Sequence, residues 1–202
     1  MAAEDRAPAG DGGPDGSSRA DEPDGREELP AVVGDGDAST VKPVARSQVT
    51  MTNLMAPQDT NLIGSVFGGV ILAAVDKIAY VCASRHAGRT CVTASFDQVN
   101  FKSPVEVGEI VTLKASVNTV GRTSLEVGVR VSAETVHGAE SRHTNSCYVT
   151  MVAVNEEREP VEVPRLKLET ADQLRRHRDA VERKKARLEL AESRRARREE
   201  AG

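Results

Sequence analysis

From Leu125 onward the chain alternates: Leu125, Val127, Val129 and Val131 are apolar, while Glu126, Gly128, Arg130 and Ser132 between them are not. A period of two marks a strand with one buried face. Ile110 to Val120 is a second strand, joined to Ser124 to Glu134 by Gly121-Arg122-Thr123, and Cys91 to Val99 and Ser141 to Val154 are two more. Upstream, Ser47 to Met55 is enriched in Val and Thr and reads as a first strand, broken by Ala56-Pro57-Gln58-Asp59-Thr60-Asn61.

Between the first strand and the rest the period changes. Ile71, Val75, Ile78 and Cys82 recur every three or four positions from Gly68 to about Arg85, and Leu72, Ala74, Ala79 and Val81 widen the stripe almost all the way round. This is a helix meant for burial, with Ala87-Gly88 as its terminator. Strand, buried helix and four further strands over about 110 residues make one domain of α+β class, a helix cradled by a curved antiparallel sheet of about five strands.

Composition sets the domain's limits. All five aromatic residues, Phe67, Tyr80, Phe96, Phe101 and Tyr148, lie in the middle of the 202-residue chain. Residues 1–45 are rich in Asp, Glu, Gly, Pro and Ser and are expected to stay disordered, because they bury too little apolar surface to offset ordering entropy. The domain is expected over 46–158. Residues 165–202 form a charged, helical, partly ordered tail with a thin seam at Leu174, Val181 and Leu188.

The net charge of -4 averages an acidic front with a basic back and says little. Arginines and lysines of the tail are interspersed with Glu and Asp, and no aromatic residues stand among them to stack on bases, so a solvated helix is favoured over nucleic-acid binding. Cys82, Cys91 and Cys147 have neither disulfide nor zinc spacing, and the histidines, His86, His137, His143 and His177, lack metal-ligand spacing. No cofactor or metal is expected. With no run of about 18 apolar residues and no basic segment leading an apolar one, a soluble cytoplasmic protein is expected, without a membrane partner.

Candidate chemistry gathers before and within the helix. Asn61 stands in a loop that leads through Gly68 and Gly69 into the apolar stretch. The first amides of a helix have no internal partner, so those at Gly68 and Gly69 can hold a developing oxyanion, though the two glycines by themselves favour a plain Gly-assisted helix start. Asp76 has Leu72, Ala73, Ala79 and Tyr80 at helical spacing, none charged, and reads equally as a general base or as an edge carboxylate beside Lys77. Asn61 is a water-orienting group or a loop-stabilising one. Arg122, Thr123 and Ser124 offer a phosphate seat or a bare hairpin. No nucleophile elbow, Walker loop or dinucleotide fingerprint is present.

Taken together, Asn61-Leu62-Ile63-Gly64-Ser65-Val66-Phe67-Gly68-Gly69 followed by Asp76, then Ser84-Arg85-His86-Ala87-Gly88, Cys91-Val92-Thr93-Ala94-Ser95 and Gly121-Arg122-Thr123-Ser124, resemble the acyl-CoA thioesterase branch of the hotdog superfamily. The resemblance spans about residues 47 to 155. It implies a helix wrapped by a sheet, with two protomers joining their sheets and an active site at the junction. Asn61 and the Gly68–Gly69 amides would come from one chain and Asp76, as catalytic base, from its partner. It also implies CoA phosphates near Arg122, Thr123 and Ser124, with Arg85, Arg89 and Lys102 as further candidates, and assembly of dimers into hexamers.

The activity so implied is hydrolysis of fatty acyl-CoA to free fatty acid and CoA, with water attack and direct attack by Asp76 both open. Two rivals share the fold. A non-catalytic acyl-CoA sensor has no need of Asp76, and a hydratase usually carries a His near the helix start, where none lies between Asp59 and Asp76.

Overall fold

The computed structural model describes residues 29–97, 99–138 and 140–200. Eight strands and two long helices follow in the order β1 (Ala31–Val33), β2 (Asp37–Pro43), β3 (Val49–Leu54), α1 (Gly68–Ala87), β4 (Cys91–Phe96), β5 (Glu109–Val120), β6 (Ser124–Thr135), β7 (Arg142–Ala153), β8 (Pro164–Leu168) and α2 (Ala171–Glu200). The main sheet has five antiparallel strands in the order β3-β5-β6-β7-β4. It wraps α1, as the resemblance implies.

The core lies between that helix and the inner face of the sheet. Ile71, Val75, Ile78 and Cys82 of α1 are buried against Val111, Leu113, Leu125, Val127, Val149 and Met151. Each such side chain contributes roughly 1.5–3 kcal/mol on leaving water, which is why a helix with apolar residues on nearly every side is stable here. Gly88 ends α1 in the left-handed conformation at φ 71° and returns its amide to the Ser84 carbonyl.

Order begins earlier than the composition suggests. Residues 1–28 of the expected leader lie outside the described residues, but β1 and β2 fall within 31–43, where disorder is expected. They are held by β8, which pairs antiparallel with β1 and parallel with β2 in a small three-stranded sheet. Neither β1 nor β2 has enough apolar residues to stand alone. Val163, Leu166 and Leu168 supply the buried surface from more than a hundred residues away. His86, near the end of α1, is sealed beneath this sheet and points Nε2 at the Pro164 carbonyl, 3.0 Å away.

The expected tail differs too. Residues 164–168 are a buried strand, and α2 packs on the outer face of the main sheet, turned away from α1. Its contact does not follow the seven-residue seam: Leu174 is buried, but Val181 and Leu188 are exposed. The docking groups are Leu174, Ala180 and a row of arginines.

Arg183 forms the centre of that contact. Its guanidinium donates to Glu126 at 2.7 Å and stacks 3.5 Å from the centroid of the Tyr148 ring. Asn118 donates to the same carboxylate at 3.1 Å. Farther along, Arg187 grips both oxygens of Asp97, at the end of β4.

Candidate active site

Asp76 sits halfway along α1, half-buried, on the side of the helix facing the edge strand β4. There the hydroxyl of Thr93 donates to its Oδ1 at 2.5 Å. The sulfur of Met151 is 3.4 Å from the same hydroxyl and is the weaker acceptor, so the single hydroxyl hydrogen goes to the carboxylate. One oxygen of Asp76 is thus fixed and the other is left for a second donor. Thr93 is a functional candidate that strand periodicity alone does not distinguish from the other Thr residues of the sheet.

The helix start is built by the preceding loop. The Phe67 amide donates to the Asp59 carbonyl, the Val66 amide to Val105, and the Val70 amide closes on Phe67. Among the described residues, the amides of Gly68 and Gly69 are spent on no acceptor. The Phe67 ring lies over Gly69 so closely that an added Cβ would stand 2.3 Å from it, and the Phe101 ring approaches Gly68 to 3.4 Å by the same measure. A side chain at Gly69 would have to push that ring aside.

Asn61 is occupied within its own loop. Its Oδ1 accepts from the Ile63 amide at 2.9 Å and its Nδ2 donates to Ser65 Oγ at 2.8 Å. The loop-stabilising role is therefore present, and one N–H of the amide is still free to act outward. This turn thrusts Leu62 and Ile63 into solvent, 106% and 88% exposed, an arrangement two large aliphatic side chains adopt at a cost unless something covers them.

The platform below the loop is rigid. Arg142 makes a two-pronged contact with Glu109, at 2.6 and 2.7 Å, and donates also to the Pro104 carbonyl, while Glu109 accepts from the Glu106 amide. The Arg142 hydrogen bonds hold the Glu109 carboxyl below its ordinary range. Residues 104–109, against which Val66 rests, are thereby fixed.

Other predicted site residues stand away from the start of α1. Arg122, Thr123 and Ser124 form the β5–β6 hairpin at the opposite end of β5 from Glu109, tied by the Thr123 carbonyl to Ala153 and by the Arg122 carbonyl to Val163. Arg122 is exposed and lies 3.7 Å from Glu162. Arg85 is exposed near the C-terminal end of α1. A single chain therefore does not bring the hairpin and the helix start together. Among the described residues no group of His, Cys, Asp or Glu is arranged to hold a metal ion, and no helix is long and apolar enough to cross a membrane.

Comparison with known proteins gives a consistent picture. The family model described as Thioesterase superfamily matches residues 63–139. Over 148 residues the chain is 41% identical to protein VdlD of Helicobacter pylori, covering 73% of this chain and 84% of that one. It is 37% identical over 137 residues to the uncharacterized acyl-CoA thioester hydrolase YkhA of Bacillus subtilis, covering 68% of this chain and 80% of that one. The cytosolic acyl coenzyme A thioester hydrolase of Rattus norvegicus is 34% identical over 66% of this chain, which spans 35% of its length.

Among solved structures, an apo-hexameric acyl-CoA thioesterase superposes with a TM-score of 0.73 at 41% identity, over 75% of this chain and 97% of that one. The acyl-CoA hydrolase of Staphylococcus aureus, in complex with butyryl coenzyme A, coenzyme A and coenzyme A disulfide, gives 0.72 at 31% identity, over 80% of this chain and 99% of that one. Mutants of that hydrolase replace an asparagine, an aspartate and a threonine by alanine. In it the aspartate follows the asparagine by fifteen positions and the threonine follows the aspartate by seventeen, the spacing of Asn61, Asp76 and Thr93 here.

Proposed function

This chain belongs to the hotdog-fold acyl-CoA thioester hydrolases of the thioesterase superfamily, and from that premise we propose that it hydrolyses fatty acyl-CoA by water attack in a site shared by two protomers. The observation that carries the reading is Asp76, oriented by Thr93, seven positions down the helix from the unspent Gly69 amide. Seven residues of helix are two turns, about 10 Å. A thioester carbon within reach of a water on Asp76 is then too far from the Gly69 amide of the same chain. Both groups serve one carbonyl only if they come from different chains.

Two further features support a shared site. The exposed Leu62 and Ile63 offer an apolar contact beside Asn61. Strand β4 is an edge of the main sheet, and its outer backbone groups are open to pairing with a second copy. The hexameric neighbour supports three such dimers in one assembly. In that arrangement Arg122, Thr123, Ser124 and Arg85 are our candidates for contacts to the CoA phosphates, and the cytosolic relative supports a cytoplasmic location.

The chemistry then runs in balanced steps. The free oxygen of Asp76 takes a proton from a water positioned with the help of the partner's Asn61 side chain. The water oxygen bonds to the thioester carbon as the carbonyl pair moves onto oxygen, where the amides at Gly68 and Gly69 receive the charge. Collapse restores the carbonyl, breaks the carbon–sulfur bond and sends its pair out with sulfur. Asp76 returns the proton to the thiolate, leaving free CoA and a fatty acid.

The test is thiol release from acyl-CoAs of short to long chain by the wild-type protein and Asp76→Ala. Hydrolysis that falls by a factor on the order of 100 to 10,000 in a variant of unchanged assembly state is expected. A variant as active as the wild type would remove Asp76 from the chemistry.

A further inference from the structure

The outer face of the main sheet holds a cavity of about 520 Å³ under the first turns of α2, on the other side of the sheet from Asp76. Its floor is a row across four strands. Thr50 of β3 pairs with Lys114 of β5, Lys114 with Arg130 of β6, and Arg130 with Ser146 of β7. Two cations therefore stand directly opposite each other, flanked by hydroxyls. Like charges in that position destabilise a sheet.

Neither cation finds a carboxylate within the ion pairs of the described residues, whereas the arginines above them do: Arg175 and Arg176 are paired with Asp172 and Arg175 also with Asp179. Gly128, two residues before Arg130 on β6, also lines the space, and its missing side chain leaves room for the Asn118 carboxamide, which an added Cβ would approach to 2.6 Å. Lys114 and Arg130 are themselves exposed, and α2 walls one side of the row, so the two charges face a concave groove that Ser116 and Arg176 also line.

We infer that this cavity is a binding site for a phosphate-bearing anion, seated between Lys114 and Arg130, with the Thr50 hydroxyl donating to its oxygens and Ser146, whose Oγ accepts from His143 Nε2 at 3.0 Å, turning its own hydrogen to them. A guanidinium and an ammonium side by side match phosphate oxygens in charge and in donor direction, and two hydroxyls complete the ring of donors. The anion would reduce the repulsion between the two paired cations. It would also join α2 to the sheet, because Arg176 lines the same space and donates to Ser116 beside it. This site is separate from the thioester chemistry and does not depend on its mechanism.

The experiment uses the full chain, with inorganic pyrophosphate as the probe and potassium chloride at matched ionic strength as the control. Pyrophosphate near a hundred times its Kd is expected to raise the thermal midpoint by roughly 5 °C, beyond any shift from chloride. Lys114→Glu turns the repulsive pair into an attractive one, so this variant should melt no lower than the wild type and lose the pyrophosphate response. Calorimetric titration should show at least a tenfold weaker affinity in Arg130→Ala. A second arm repeats the titration with CoA. A CoA-induced shift that Lys114→Glu also abolishes would identify the anion as the phosphate end of CoA, and one that survives would identify it as a separate ligand. No pyrophosphate response in the wild type, or an equal response in Lys114→Glu, would overturn the site.

Discussion

Thr93 and Asp76 are seventeen residues apart in sequence, on different elements, yet their side-chain oxygens lie 2.5 Å apart. The bond ties the catalytic candidate on α1 to the edge strand β4 and chooses which carboxylate oxygen faces outward. Thr93→Ala should leave the fold intact and lower kcat by about tenfold to a hundredfold, the worth of a hydrogen bond to a charged group. Thr93→Ser should recover most of the loss. Steady-state kinetics on both variants decides it, and equal rates in Thr93→Ala and the wild type would reduce this bond to packing.

Mixing two inactive variants tests the shared site directly. Asp76→Ala chains still carry Asn61, and Asn61→Ala chains still carry Asp76. After subunit exchange, half the dimers are mixed and each holds one intact site, so activity should return to about a quarter of the wild-type level. If each site lies within one chain, mixing restores nothing.

The Arg183–Glu126 pair predicts how firmly α2 is held. Glu126 is almost fully buried, its side chain 4% exposed, and Arg183→Ala leaves that carboxylate with Asn118 alone. Denaturant unfolding should show a loss of roughly 3 kcal/mol, since a buried charge stripped of its partner is costly. The double variant Arg183→Met with Glu126→Gln removes both charges and should recover most of that stability. If the single variant unfolds like the wild type, α2 is not anchored through this pair.

Acid should loosen the small sheet through His86. Burial is the largest cause lowering its proton affinity below the ordinary 6.5, followed in magnitude by the opposing bond to Pro164 and then by the nearby charge of Lys42. A folded value below the unfolded one means the unfolded chain binds the proton more readily, so the stabilisation is complete above pH 6.5 and drains as pH falls from there. Melting between pH 8 and pH 5.5 should show a steeper decline in the wild type than in His86→Gln, which keeps a donor for the Pro164 carbonyl but does not titrate. Parallel curves would exclude His86 as the cause.

The main sheet and α1 were legible because their signals are local. Alternation in Leu125 to Val131 and the three-to-four spacing of Ile71, Val75, Ile78 and Cys82 depend only on neighbours along the chain, and the strands and helix end within a few residues of where that patterning stops. The glycines that open the helix and the solitary carboxylate at Asp76 stand out for the same reason.

What tertiary structure alone decided was pairing across distance. β1 and β2 are ordered by Val163, Leu166 and Leu168, and the arginines of α2 are docking groups only because Glu126, Tyr148 and Asp97 wait on the sheet. Thr93 is an ordinary strand threonine until the fold sets it against Asp76, and Lys114 and Arg130 are ordinary surface cations until register places them side by side. Periodicity records which face of an element avoids water. It does not record which distant side chain will meet a polar group there, because that depends on how separate elements share one core.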